Sequence, residues 1–305
     1  MSRISERFSQ LAAPGEGCLA CYLMGGDPSL ELSRQAILAV AEAGADIVEI
    51  GIPFSEPVGD GPTIQAAGIR ALAAGATPES ILGMVSQVRR DCSVALVVMT
   101  YYNIALRPGL RRFSGMACDS GVDGVILADL PVPEAGPWIE EAKRAGVDTI
   151  FLASPTSTEE ALQEIGAAAT GFVYCVSVLG VTGARESLAA GVGDVVKRIK
   201  AHTPLPVLIG FGISSPEHVR DACRVADGVV VGSALVNLVA RRQDDHGVSL
   251  KRLSEFVAEM KRATRKGQSV VGVSGAAAAP RQPGSGNENV GSAARKGPGR
   301  RKNDH

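Results

Sequence analysis

The sequence predicts a single α/β domain, a (β/α)₈ TIM barrel, followed by a disordered C-terminal tail. Three observations carry this expectation. Eight near-continuous apolar runs recur between residues 19 and 234, as in parallel strands buried on both faces. Amphipathic helical patterns alternate with them, which makes βαβ units. Eight such repeats within about 250 residues suit a closed barrel better than an open doubly wound sheet. A Rossmann-like sheet is the competing arrangement, but no G-x-G-x-x-G follows the first run.

The expected strands are Leu19–Met24, Asp46–Pro53, Val94–Tyr101, Gly124–Leu130, Asp148–Pro155, Gly171–Val178, Pro206–Ile213 and Gly228–Ala234. Helices are expected at Leu30–Ala43, Pro78–Arg90, Pro133–Ala145 and Pro216–Arg224, with a last one at Ser249–Arg262. The barrel is expected to occupy residues 1–266. From Gly267 to His305 the chain is rich in Gly, Ala, Ser, Pro and Asn and has no apolar period, the pattern of disorder. The closing run Arg300, Arg301, Lys302 reads as solvated rather than as a partner contact.

Composition narrows the function classes. Apolar residues make up 45% of the chain and charged residues 21%, with a formal net charge of −1. That balance carries no footprint for nucleic acid or an anionic membrane. No run of eighteen apolar residues is present, and Met1–Leu11 lacks the apolar stretch of a secretory signal. A cytoplasmic enzyme is the expectation. Cysteines stand at 18, 21, 92, 118, 175 and 223, and Cys18-x-x-Cys21 has neither a second pair nor a histidine cluster beside it. They read as small core residues, with no metal site.

Barrel enzymes place their chemistry on the loops that follow the strands. The second strand ends Ile47-Val48-Glu49-Ile50-Gly51-Ile52-Pro53. Alternation puts Val48, Ile50 and Ile52 on the face toward the helices, so Glu49 points into the barrel with Ile47 and Gly51. A carboxyl there is costly to bury and should have a raised pKa, which suits proton transfer near neutral pH. A structural Glu paired with a buried Arg or Lys remains open at this point. In the following loop, Asp60 lies between Gly59 and Gly61; it is either a ligand-facing carboxylate or a simple turn residue.

The seventh and eighth strands end in Gly210-Phe211-Gly212-Ile213-Ser214 and Gly232-Ser233-Ala234. Loops at those two positions recurrently bind phosphate in this fold, and glycines let backbone N–H groups approach it. After the sixth strand, Val178-Leu179-Gly180-Val181-Thr182-Gly183-Ala184-Arg185 reads as a lid.

Taken together these segments resemble a known family. Glu49-Ile50-Gly51-Ile52-Pro53-Phe54-Ser55, running on to Asp60-Gly61-Pro62-Thr63-Ile64-Gln65, is similar to the signature of the tryptophan synthase alpha chains. So are Gly26-Asp27-Pro28, Thr100-Tyr101-Tyr102-Asn103, Asp129-Leu130-Pro131 and Gly180-Val181-Thr182-Gly183, over roughly residues 1–263. The resemblance implies a lyase that splits indole-3-glycerol phosphate into indole and glyceraldehyde 3-phosphate. It implies that Glu49 protonates the indole ring carbon and helps deprotonate the glycerol hydroxyl, and that Asp60 accepts the indole N–H. Gly183, Phe211, Gly212, Gly232 and Ser233 would cradle the phosphate. Tyr22, Leu127, Tyr174 and Thr182 would line the indole pocket or help close the lid. A beta chain is implied as partner, in a heterotetramer of two alpha and two beta chains, with Pro53, Glu56, Pro57 and Pro131 at the contact. Pyridoxal phosphate would belong to that partner, and no cofactor to this chain. Glu56 and Val58-Gly59 depart from the commonest family pattern of Asp and Leu-Ala, which bears on partner fit.

Other functions stay in view. A sugar-phosphate isomerase on the same barrel would commonly use a strand-end histidine, yet His202, His218, His246 and His305 end no expected strand. An inactive regulatory barrel would have no need to keep Glu49 and Asp60. A stand-alone lyase releasing free indole would keep the chemistry and drop the partner.

Overall fold

The computed structural model describes residues 2–176, 185–210, 212–240 and 246–265. Its strands are β1 (Cys18–Met24), β2 (Ile47–Gly51), β3 (Ala95–Thr100), β4 (Gly124–Leu127), β5 (Asp148–Ala153), β6 (Val173–Val176), β7 (Val207–Gly210) and β8 (Gly228–Val231). They are parallel and pair in sequence order, and β8 returns to β1 through Cys18–Gly228 to Cys21–Val231. The result is the closed (β/α)₈ barrel that the alternating runs predict.

The helices are α1 (Arg3–Ala12), α2 (Leu30–Glu42), α3 (Pro62–Ala73), α4 (Pro78–Asp91), α5 (Tyr102–Leu106), α6 (Leu110–Asp119), α7 (Gly136–Ala145), α8 (Glu159–Ala168), α9 (Arg185–His202), α10 (Pro216–Cys223), α11 (Ser233–Ala240) and α12 (His246–Ala263). Several βα loops end in a hydroxyl that accepts a first-turn N–H: Ser29 before α2, Thr158 before α8 and Ser215 before α10. Thr77 and Ser80 form a capping box at the start of α4, where Pro78 supplies the preset φ. These caps stop each loop at a fixed residue and so fix where the barrel mouth ends.

The barrel floor is closed by α1 and pinned by carboxylates. Ile4 is fully buried, and its Cδ1 lies against Gly124 and Gly171. Three aspartates just before even-numbered strands each accept a backbone N–H from the preceding strand. Asp46 takes Leu19 N–H at 2.7 Å, Asp123 takes Leu96 N–H at 2.8 Å, and Asp227 takes Val207 N–H at 2.8 Å. Thr170 does the same for Thr149 through its hydroxyl at 2.9 Å. Cations from the helices neutralise the acids: Arg7 and Lys261 on Asp46, Arg3 and Arg89 on Asp123, Lys200 on Asp227.

The expected strands run past the real ones at their C-terminal ends. Ile52, Leu130 and Ile213 extend the apolar runs past the strand ends, although the Ile52 N–H still donates to Met99 of β3 at 2.9 Å. Each is nevertheless buried, so the apolar signal continues where the strand has ended. The helix expected at Pro133–Ala145 is instead a 3₁₀ turn, Val132–Glu134, followed by α7 from Gly136. The last helix starts at His246 rather than Ser249. Residues 266–305, including the basic run, lie outside the described residues.

Candidate active site

Glu49 sits on the inner face of β2, in register with Tyr22 of β1 and Val97 of β3. Its side chain is fully buried, and among the described residues neither carboxylate oxygen has a hydrogen-bond partner. Burial alone raises its pKa to about 8. Among the described residues no Arg or Lys balances it, so the structural-pair reading fails there. A carboxylic acid kept neutral at pH 7 on the inner face of a barrel is able to give up a proton.

Around Glu49 the barrel interior is aromatic and hydroxylic. Tyr22 and Tyr174 are each 7% exposed, and both feel the charge of Glu49 and of Asp60. Burial pushes both phenols well above their usual range, so they remain neutral donors. Two glycines make room for them. A Cβ on Gly51 would run into the Tyr22 hydroxyl, and one on Gly210 would run into the Tyr174 ring. Leu127, at the end of β4, is buried beside Thr100 in the register.

Asp60 lies in the loop between β2 and α3, half-buried. Its pKa is raised by burial, against the lowering effect of a hydrogen bond from the Tyr101 hydroxyl. The site thus pairs two carboxyls of different environment. One is sealed and protonated at neutral pH; the other is partly solvated and held by a phenol.

The chain that carries these two carboxyls is matched along most of its length by known proteins. The family model for the tryptophan synthase alpha chain matches residues 8–265. The tryptophan synthase alpha chain of Geotalea uraniireducens is 46% identical over 261 residues, covering 86% of this chain and 97% of the relative. That of Geobacter sulfurreducens is 48% identical over 241 residues, covering 79% and 91%. Among solved structures, the alpha subunit from Legionella pneumophila superposes with a TM-score of 0.80 at 33% identity, covering 87% of this chain and 98% of that one. A tryptophan synthase structure from M. tuberculosis gives 0.79 at 34% identity, covering 88% and 100%. The chain belongs to the tryptophan synthase alpha chain family.

Other site residues expected from the family resemblance fall as follows. Gly232 caps the start of α11, with the N–H groups of Leu235 and Val236 donating to its carbonyl. The first N–H groups of that helix, from Ser233 and Ala234, therefore precede its first internal hydrogen bond. Gly212 has a φ of +76°, which a side chain would strain. A Cβ added to Gly232 would meet Tyr22 only at ordinary contact distance, so the β8 loop adjoins Tyr22. Phe211, Thr182 and Gly183 lie outside the described residues, as do Val178 and Leu179.

The residues expected at the partner contact divide. Glu56 and Pro131 are exposed and Pro57 is half-buried, whereas Pro53 is buried in the isolated chain. Pro53 ends an apolar run, and that same apolarity draws it inward. Val58, between Pro57 and Gly59, is 87% exposed. Two features had no role assigned from sequence. Tyr101 holds the Asp60 loop, and Asp27 forms a two-bond ion pair with Arg70 of α3 at 2.8 and 2.7 Å. An aromatic hydroxyl at a strand's C-terminal end is a signal for the first; nothing local signals the second.

Proposed function

We propose that Glu49 and Asp60 carry the retro-aldol cleavage of indole-3-glycerol phosphate to indole and glyceraldehyde 3-phosphate. As a member of its family the chain is a tryptophan synthase alpha subunit, a carbon–carbon lyase of tryptophan biosynthesis. The observation that carries the residue assignment is the sealed, unpartnered carboxyl of Glu49, protonated near neutral pH by burial alone.

The steps balance on these two groups. Protonated Glu49 gives its proton to the indole carbon that bears the glycerol chain, and positive charge develops on the ring nitrogen. Asp60 accepts the ring N–H and stabilises that charge. The Glu49 carboxylate then takes the proton of the glycerol hydroxyl next to the ring. The carbon–carbon bond breaks, its electron pair returns to the ring, and an aldehyde forms. Glu49 ends protonated, ready for the next turnover. A single group can give and take the proton because its pKa lies near the working pH.

Gly212, Gly232 and Ser233, with Phe211 and Gly183, are the proposed phosphate cradle; the first N–H groups of α11 supply donors and a favourable dipole. Tyr22, Leu127 and Tyr174 are proposed to line the indole pocket and Thr182 to help close it. No cofactor is assigned to this chain. The family implies a beta-chain partner, and we place pyridoxal phosphate there, in a cytoplasmic heterotetramer of two alpha and two beta chains. Glu56, Pro57 and Pro131 are the proposed contacts.

The deciding assay follows indole released from indole-3-glycerol phosphate by the full chain, with and without a beta chain. Release that requires Glu49 supports the assignment. Full-speed release that ignores every beta chain would favour a stand-alone lyase instead.

A further inference from the structure

We propose that Tyr101 is a positioning residue for Asp60, its phenol holding both ends of the catalytic loop on the end of β3. The inference rests on the reading of Asp60 given above and adds the side chain that places it.

Tyr101 directly follows β3 and is 5% exposed. Its hydroxyl accepts the Gly59 N–H at 3.1 Å, and it lies near enough to the Asp60 carboxylate to lower that group's pKa. Its ring stacks on Phe54, with centroids 5.1 Å apart and planes at 29°. One side chain therefore touches the loop at its beginning and at its catalytic end. Between those points Ser55, Glu56, Val58 and Gly59 are exposed, and the loop's own bonds are short turns, Val58 N–H to Glu56 and Asp60 N–H to Pro57. The anchor is itself fixed: Asp129, after β4, accepts the Tyr102 N–H at 2.6 Å.

The chemistry gives the phenol little freedom. A phenol has one proton, and donating it to Asp60 while accepting from Gly59 sets its orientation. The groups facing Asp60 are Tyr22 from β1, Tyr101 from β3 and Tyr174 from β6. Among the described residues no cation is one of them. The Tyr101 hydrogen bond is thus the interaction that favours ionised Asp60 against burial, and Asp60 must be ionised to stabilise a positive ring.

The test is Tyr101→Phe, which keeps the ring stack and deletes the hydroxyl, assayed by indole release from indole-3-glycerol phosphate with the full chain. A hydrogen bond to a charged group should be worth roughly tenfold or more in kcat, with KM changed much less. The acid limb of kcat/KM should also move to higher pH, because the Asp60 carboxylate loses a donor. If the variant is less stable, the limb still decides, since loss of folded enzyme scales the rate at every pH and moves no pKa. Phe54→Leu should lower kcat without moving the limb. In an Asp60→Asn background, Tyr101→Phe should add little. An unchanged kcat and acid limb in Tyr101→Phe, with Asp60→Asn crippled, would overturn the positioning role and leave the Asp60 reading standing. Near-normal turnover by Asp60→Asn would overturn that reading itself.

Discussion

Glu49 illustrates how one residue trades stability for chemistry. Its folded pKa, about 8, lies above the ordinary 4.5. The folded state therefore holds a proton that the unfolded state releases, and stability falls as pH rises from about 4.5 to about 8. Glu49→Gln should remove that dependence. Denaturant titrations at pH 5 and pH 8.5 should show the variant gaining stability over the parent chiefly at the higher pH, on the order of a few kcal/mol. The same substitution should cut indole release by about 10²–10⁴-fold, with substrate binding largely intact. Turnover close to normal would remove Glu49 from the mechanism. In the parent chain kcat/KM should decline as pH passes about 8, where the free enzyme loses its proton donor.

Strands and loops divide the labour between the two ends of the barrel. At the floor, Asp46 is wholly buried between Arg7, Lys261 and the Leu19 N–H. Asp46→Ala takes from Arg7 its carboxylate, leaves Lys261 with Glu16 alone and orphans the Leu19 N–H, and should cost about 3–5 kcal/mol, read as a lower denaturant midpoint. Activity per folded molecule should be nearly unchanged, because Asp46 lies at the end of β2 away from the mouth. A large loss of kcat at full folding would mean that floor and mouth are coupled. At the opposite end, Gly232→Val should weaken both substrate and glycerol 3-phosphate, since its branches would block backbone approach to the phosphate. Gly232→Ala is the control for folding: its Cβ meets only ordinary contacts. If indole glycerol without phosphate bound as tightly as the phosphorylated substrate, the β7 and β8 loops would not be the cradle.

The chain as a whole presents an alpha subunit whose mouth carries exposed Glu56, Val58 and Pro131. A beta chain bound there would select one arrangement of the loops, raising the fraction of competent enzyme without a new catalytic group. Adding a beta chain should raise kcat, and free indole should fall below the glyceraldehyde 3-phosphate formed. Because Tyr101 already ties the Asp60 loop to β3, the gain should come mostly from the segment that follows β6. Stopping the chain after Lys266 should leave melting temperature and activity unchanged, as residues 267–305 offer no apolar period to a core. A drop of several degrees would show that the tail docks.

The sequence by itself determined the barrel and the candidate pair. Eight buried runs can only be parallel strands if helices cover them, and alternation along Ile47–Pro53 aims Glu49 inward whatever the neighbours are. It also marked the glycine-rich ends of the seventh and eighth strands, since close backbone approach needs residues without side chains. Strand ends were overrun because Ile52, Leu130 and Ile213 stay buried past the ends of their strands, so the apolar signal does not stop where the strand does. Tertiary structure alone decided that Glu49 has no partner among the described residues, because what surrounds a strand residue depends on what seven other strands bring to the same interior. It decided equally that Tyr101, 41 residues beyond Asp60 in sequence, sets that carboxylate. Hydrogen bonds between the ends of adjacent strands follow from barrel closure, and no local pattern encodes them.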